Sequence, residues 1–375
     1  MTKELHYQRC TRCVMDTTAS DIIFDIAGHC NFCSDYLAKF GRSSLENSNS
    51  DEALRLFVEK VKKQGKGKPY DCVVGISGGV DSSWTLVKAV ELGLRPLPVH
   101  MDNGWNSELA QNNIANLVTS LGLDLYTYVI EWEEYRELMR AFLDADVTDV
   151  ELLYDNAMLR VNYSQAKKYG LKHILSGSNH TSEGLLMPHG WNWLKHDARN
   201  IRAIAQTQDV KMKSFPDIGT GRYLRYRILD RISWVPFLDM IDYDKELALD
   251  QLVDRYGYKR YAYKHYESIF TRFYQAVILP EKFGIDKRLL HLSSLISSGQ
   301  MTREQAIEVL KTPTYGSEEQ RIEDTQYFLK KIGWTKNDLD DYLTRPSVSH
   351  DVYGSEKKFW ECAQKANQWM KRIAR

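Results

Sequence analysis

No run of about 18 apolar residues occurs in the 375-residue chain, so no membrane-spanning helix is expected. The opening stretch "MTKELHYQRC" lacks the apolar core of a secretory signal, and the expected address is therefore the cytoplasm. Charge of one sign is not in excess. Fifty Lys and Arg balance fifty Asp and Glu, which removes the global positive field that nucleic-acid binding would use and favours a small charged metabolite as partner. Internal repeats and low-complexity segments are also lacking. With 43% hydrophobic residues, the chain can bury one large core with appendages or two modest domains.

Cysteine is scarce outside the first 33 residues, where only Cys72 and Cys362 remain. The other four, Cys10, Cys13, Cys30 and Cys33, follow C-x2-C-x16-C-x2-C, a spacing in the zinc-ribbon range. Two disulfides are the alternative, disfavoured in a chain without a secretion signal. His29 adjoins Cys30 but is not needed as a ligand, because four thiolates complete a tetrahedral shell.

The ribbon is expected over residues 1–40, followed by a polar connector, "GRSSLENSNSD". A short helix from Asp51 to Lys63 leads into alternating elements over 51–240. Strands are expected at Cys72–Ile76, Pro96–Met101, Leu125–Ile130 and His173–Ser176. Helices between them are expected at Ser83–Leu92, Ser107–Leu121, Trp132–Leu143 and Val150–Tyr169. Strand, helix, strand in repetition predicts a doubly wound, mainly parallel α/β sheet with its ligand at the carboxyl ends of the strands. Residues 241–375 read as helical, with segments near Asp244–Tyr256, Tyr266–Leu279, Lys287–Ser298, Thr302–Lys311, Glu318–Ile332 and Lys336–Leu343, and a last one from Ser355. "TREQ" at Thr302–Gln305 has capping-box spacing.

Within "VVGISGGVDSSWTLV", Gly78 and Gly79 permit positive φ and close ligand approach, and Ser77, Ser82 and Ser83 add hydroxyls. A helix starting near Asp81 points its positive end at the same turn, making an anion hole. No lysine stands in the turn, so the Walker A arrangement, with a lysine on the β and γ phosphates, is excluded. The S-G-G-x-D-S form instead resembles the pyrophosphate (PP) loop of the ATP-pyrophosphatase superfamily, of adenine nucleotide alpha hydrolase-like fold. The resemblance implies ATP cleaved between the α and β phosphates. Asp81 then serves as a magnesium ligand, since magnesium favours a carboxylate plus phosphate oxygens. The next strand ends in "VHMDNGW"; its Asp102 and Asn103 share the edge where the superfamily holds adenosine, and His100 reads as a satisfied, semi-buried histidine. "SGSNHTSEG" brings Ser178, Asn179 and Glu183 to the fourth strand end, facing the cleft or forming a plain capping turn.

Together with the loop, "RCTRCVMDTTASDIIFDIAGHCNFC" and "KHYESIFTRFYQAVILPEKFGIDKRLLHLSSLISSGQMTREQA" resemble the N-acetyl sugar amidotransferase family of bacterial surface-polysaccharide and nonulosonic-acid biosynthesis. The resemblance implies conversion of a sugar acetamido group to an acetamidino group, with ATP, magnesium and zinc. Ammonia would come from separate partners like the glutaminase and cyclase subunits of imidazole glycerol phosphate synthase. The sequence opens Met-Thr, with no cysteine at position 2 to act as a glutaminase nucleophile, which points the same way. Read as a helix, the third segment carries an apolar stripe, Phe270, Phe273, Tyr274 and Val277, and a polar one, Lys264, Glu267, Thr271 and Gln275, flanked by Arg272. By spacing alone that polar stripe is a solvated face or a cleft wall. The resemblance favours the wall, with Lys264 and Arg272 meeting phosphate or sugar acid groups and Glu267 beside them. A tRNA thiolase and a zinc-stabilised binding module are the competing classes.

Overall fold

The computed structural model describes residues 7–41, 50–261 and 267–373. The expected connector therefore lies largely outside the described residues. Five short strands carry the architecture: β1 (Cys72–Gly75), β2 (Pro96–Asp102), β3 (Tyr126–Val129), β4 (His173–Ser176) and β5 (Ser233–Pro236). They form one sheet in the order β3-β2-β1-β4-β5, and every neighbouring pair is parallel. The chain thus winds outward from β1 through β2 to β3, then returns to the other side of β1 with β4. The reversal leaves a crevice between the carboxyl ends of β1 and β4, where doubly wound sheets bind ligands.

Buried strands on both faces explain the near-continuous apolar runs. Successive residues of β1 alternate between two cores: Val73 joins the cluster that includes Tyr163 and Val161, while Cys72 and Val74 join the cluster that includes Trp84 and Val87. The helices supplying those clusters follow in chain order: α1 (Asn31–Phe40), α2 (Ser50–Gly65), α3 (Val80–Glu91), α4 (Glu108–Ser120), α5 (Trp132–Asp144), α6 (Leu152–Lys168), α7 (His180–Glu183), α8 (Ala198–Thr207) and α9 (Thr220–Leu224). α3 and α6 cover opposite faces of the central strands. Ser107 caps α4 through Ala110 N at 3.2 Å, satisfying one of the first amides that a helix leaves without an acceptor.

Beyond the sheet come α10 (Lys245–Tyr256), α11 (Ile269–Phe273), α12 (Leu279–Phe283), α13 (Arg288–Ser297), α14 (Arg303–Lys311), α15 (Glu318–Ile332), α16 (Lys336–Thr344) and α17 (Lys357–Ile373). The expected capping box at Thr302 and Gln305 is present. Two features differ from expectation. β5 was absent from the sequence reading because it is four residues long, ends in proline and is only half-buried, so it lacks a period-2 signature. The single helix expected from Tyr266 to Leu279 begins at Ile269 and widens into a π-helical turn over Tyr274–Ile278. Such turns re-aim side chains within an otherwise regular helix.

Candidate functional site

The glycine turn follows β1 and opens α3, with Gly79 at the N-cap. Gly78 has φ +86°, and a β-carbon there would lie 2.8 Å from the Ala110 carbonyl oxygen, so this position needs glycine twice over. The Gly78 carbonyl accepts from Tyr258 Oη at 2.8 Å and Tyr261 Oη at 3.0 Å, which pins the turn. Ser82 Oγ accepts from Ser77 N at 3.2 Å and donates to Gly79 O at 3.1 Å. Gly177, directly after β4, is a site residue that sequence reasoning missed. A β-carbon there would sit 2.7 Å from the Asp81 carbonyl carbon and Ser82 N, so its hydrogen lets the end of β4 touch the start of α3.

A cleft of about 580 Å³ opens at this meeting point. It gathers Ser77, Gly79, Asp81, Ser82, Ser178, Glu183 and Glu267 from the expected set. Glu267 reaches the turn from the far part of the chain: its Oε1 lies 2.5 Å from where a Gly79 β-carbon would stand. The hydroxyl of Tyr243 donates to Asp81 Oδ1. Burial, then the Asp81 charge, raises the Tyr243 phenol well above its ordinary pKa and keeps it a donor. Lys245 and His291 bring positive or titratable groups to walls that otherwise carry Asp81, Glu183, Glu246 and Glu267. His291 Nδ1 is 2.9 Å from Ser182 O, so that nitrogen carries its proton.

A second cavity of about 270 Å³ adjoins the first, sharing Ser77, Tyr154 and Glu267 with it. Asn103, Thr271 and Gln275 line it, as do Glu151 and Asp155. The polar stripe of the third segment is thus turned toward the cavity at Glu267, Thr271 and Gln275, with Phe270 beside them, while Phe273, Tyr274 and Val277 are buried in the core. Gln275 Nε2 donates to both Glu151 oxygens at 3.1 Å. Burial raises the Asp155 carboxyl above the usual range despite Lys195, whose ammonium sits 2.8 Å away.

Other expected residues are placed differently. Arg272 does not line either cavity. Its guanidinium grips Asp324 of α15, Nε to Oδ2 at 2.5 Å and Nη2 to Oδ1 at 2.6 Å, and both residues are buried. The expectation that it meets phosphate or sugar acid is corrected accordingly: a buried guanidinium takes the carboxylate that the fold supplies. Asp102 turns its carboxylate to Gly104 N at 2.9 Å and Asn106 Nδ2 at 3.2 Å and lies outside both cavities. Asn179 caps α7, accepting from Ser182 N at 2.9 Å, and Ser83 is buried in α3. His100 behaves as the satisfied histidine expected: Nδ1 donates to Ile76 O at 3.0 Å, Nε2 accepts from Asn106, and burial lowers its pKa. Lys264 lies outside the described residues.

The four N-terminal cysteines converge, all fully buried, with ligand atoms within 4.8 Å of one another. Sulfur separations of 3.8 Å (Cys10–Cys33), 3.6 Å (Cys30–Cys33) and 3.5 Å (Cys13–Cys30) exclude disulfides. They fit a tetrahedron whose edge, for a zinc about 2.3 Å from each sulfur, is about 3.8 Å. The group can therefore hold zinc. His29 Nδ1 accepts from Arg12 Nη2 at 2.6 Å, consistent with its exclusion as a ligand. The knuckle is also tied to the helical region: Arg303 donates to Cys10 O at 2.9 Å and Cys13 O at 3.0 Å, and Val14 N donates to Ser293 Oγ at 3.2 Å.

Comparison with known proteins adds independent findings. Residues 267–367 match the family model "LPS biosynthesis protein WbpG-like, C-terminal domain". Over 114 residues, 30% of its length, the chain is 33% identical to the glutamine-hydrolyzing GMP synthase of Pyrobaculum aerophilum; it spans about a fifth of that relative, 21%. Among solved structures, NMN synthetase from Francisella tularensis is 19% identical, with 58% of this chain and 98% of that one covered at a TM-score of 0.27. NH3-dependent NAD synthetase from Campylobacter jejuni is 17% identical, covering 56% and 93% at a TM-score of 0.29. The family match overlaps the third resembling segment from Glu267 to Ala306 and continues to residue 367, in agreement with the resemblance drawn from that segment.

Proposed function

We propose that the chain is an ATP-dependent amidotransferase that converts an N-acetyl group of a sugar to an acetamidino group in bacterial surface-glycan assembly. One observation carries the reading: Glu267, the first residue of the WbpG-like segment, stands against Gly79 of the phosphate-type turn, so one cleft joins both parts of the chain.

An amide carbonyl is a poor electrophile, and ammonia displaces its oxygen only after that oxygen becomes a leaving group. In the proposed reaction the acetamido oxygen attacks the α phosphorus of ATP and pyrophosphate departs. Ammonia then adds to the resulting imidate carbon, AMP leaves with the former carbonyl oxygen, and an amidine remains. The turn's serine hydroxyls and the first amides of α3 receive phosphate oxygens. Four carboxylates in the cleft, with Lys245 and His291 as the opposing groups, would repel a bare triphosphate. Magnesium resolves this: Asp81, with Glu183 nearby, would hold it, and the metal would neutralise phosphate charge. Ammonia is assigned to the smaller cavity, which Glu151, Asp155 and Glu267 line beside the glycine turn.

Neither remaining cysteine suits a glutaminase nucleophile. Cys72 is fully buried in β1, where desolvation pushes its thiol up, and Cys362 is exposed on α17. A separate glutaminase, with a cyclase-like subunit to pass ammonia on, is accordingly part of the proposal. The test is incubation of the purified chain with ATP, magnesium, ammonium and candidate N-acetylated sugars. AMP, pyrophosphate and a sugar product about one mass unit lighter support the reading. AMP formation that depends instead on tRNA and a sulfur donor would replace it with the thiolase reading.

A further inference from the structure

A helix on the outside of a protein ordinarily turns its apolar face to the body and its polar face to water. α17 does the reverse. Lys357, Trp360, Glu361 and Gln364, at i, i+3, i+4 and i+7, line a cavity of about 1010 Å³ whose walls also hold His189 and His350. Trp360 packs on His196 and Tyr223 as well, with ring centroids 4.5 Å and 5.9 Å away. The opposite face carries Phe359, Cys362, Ala366 and Trp369, at i, i+3, i+7 and i+10. All four are exposed, Phe359 by 53% and Trp369 by 65%. Single exposed apolar residues are ordinary, but an apolar stripe along about three turns of one helix marks a surface that is covered in use.

Charge and the spacing of the bulky groups say what covers it. Lys358 and Lys365, seven residues apart and so on one flank of the stripe, are exposed and form no ion pair among the described residues. The segment that Tyr223 belongs to repeats the combination: Ile228 and Leu229 are exposed by 63% and 74%, and Arg222, Arg225 and Arg231 are exposed and equally unpaired. From Glu356 onward the sequence has six Lys or Arg against two Glu, in a chain of zero formal charge. Such a surface complements an anionic one. A second copy of this face would set the same cations against one another. A groove in a partner protein takes closely spaced large anchors, whereas Phe359 and Trp369 stand about 15 Å apart along the helix with only Cys362 and Ala366 between them on the stripe. A helix lying in a membrane interface needs less: a few aromatic groups at headgroup level, with lysines beside them.

We propose that the outward face of α17 docks on an anionic lipid surface, with Phe359 and Trp369 among the headgroups and Lys358 and Lys365 on the lipid phosphates. The contact is peripheral, since no helix among the described residues is long and apolar enough to cross a membrane. It lies outside the two cavities of the glycine-turn site and does not depend on the reaction proposed there.

Flotation of the full chain with lipid vesicles tests this without any substrate. At low salt the protein should bind phosphatidylcholine vesicles that contain phosphatidylglycerol about tenfold more tightly than vesicles of phosphatidylcholine alone, and salt of about 0.5 M should weaken that binding. Phe359→Ser combined with Trp369→Ser, and Lys358→Glu combined with Lys365→Glu, should each weaken binding to the anionic vesicles by about tenfold or more. The Tm should stay unchanged in both, because all four side chains are exposed. The proposal is overturned if the unaltered protein does not float with the anionic vesicles, if it floats equally with both lipids, or if flotation survives both pairs of substitutions. A dimer in sedimentation velocity that the Phe359→Ser and Trp369→Ser pair dissociates would also overturn it, giving the face to a second copy. Because the comparison of two lipid compositions on the unaltered protein needs no substitution, a misfolded variant would not obscure the answer.

Discussion

Replacing Arg272 should cost stability before it costs chemistry. Its guanidinium makes two charge-assisted hydrogen bonds to Asp324, which also accepts from Tyr315 Oη at 2.6 Å and Gln320 Nε2 at 3.3 Å. Arg272 is 9% exposed and Asp324 3%, so water cannot take over the lost contacts. Arg272→Met would fill the space but leave a buried carboxylate short of its cation, a change that costs about 3–5 kcal/mol when one member of a buried pair is removed. At about 2.1 cal/mol/K per residue, 375 residues give an unfolding entropy of about 0.8 kcal/mol/K. The expected fall in Tm is then roughly 4–6 °C for a chain that melts in one transition. Adding Asp324→Leu should recover much of the loss, because removing both charges removes the desolvation penalty too. Calorimetry on the two single variants and the double variant measures this, alongside kcat/KM at a temperature where all are folded. If Arg272→Met kept its Tm within a degree and lost activity instead, the guanidinium would be serving an anion in the cleft and the assignment to Asp324 would be refuted.

Asp81→Asn should abolish AMP and pyrophosphate formation with a small change in Tm, as the carboxylate is proposed to hold magnesium at the cleft; near-normal turnover would transfer that role to another residue. Metal analysis should find about one zinc per chain, and chelation should lower the Tm, since four buried cysteines would lose their common partner; zinc content well below one would refute the assignment. Burial holds His173, His196 and His350 each at about 4, below the ordinary 6.5. Between those values the unfolded chain binds more protons, so stability should fall as pH drops from about 6.5 towards 4, by up to about 1.4 kcal/mol per pH unit for each histidine. Denaturant midpoints that stay level across that range would show that these rings are protonated in the fold.

Local patterns were enough to identify the parts of this protein. The glycine turn is legible because positive φ, hydroxyl supply and a helix start all reside in one short stretch, met in place by Gly78, by Ser77 and Ser82, and by Gly79 as N-cap. The four-cysteine cluster is legible because its spacing encodes two tight turns, and the strands β1, β2 and β4 because parallel strands buried on both faces read as continuous apolar runs. What joins the parts was decided only by the tertiary structure. Glu267 reaches Gly79, and Tyr243 reaches Asp81, through packing that brings distant segments onto the same strand ends. Arg272 flanks the polar stripe that holds Glu267 in the sequence, yet Arg272 is committed to Asp324 and Glu267 to the cleft, because packing sets a carboxylate of α15 against the one and the glycine turn against the other. Periodicity specifies which face of an element is buried, and only the packed chain specifies what that face meets.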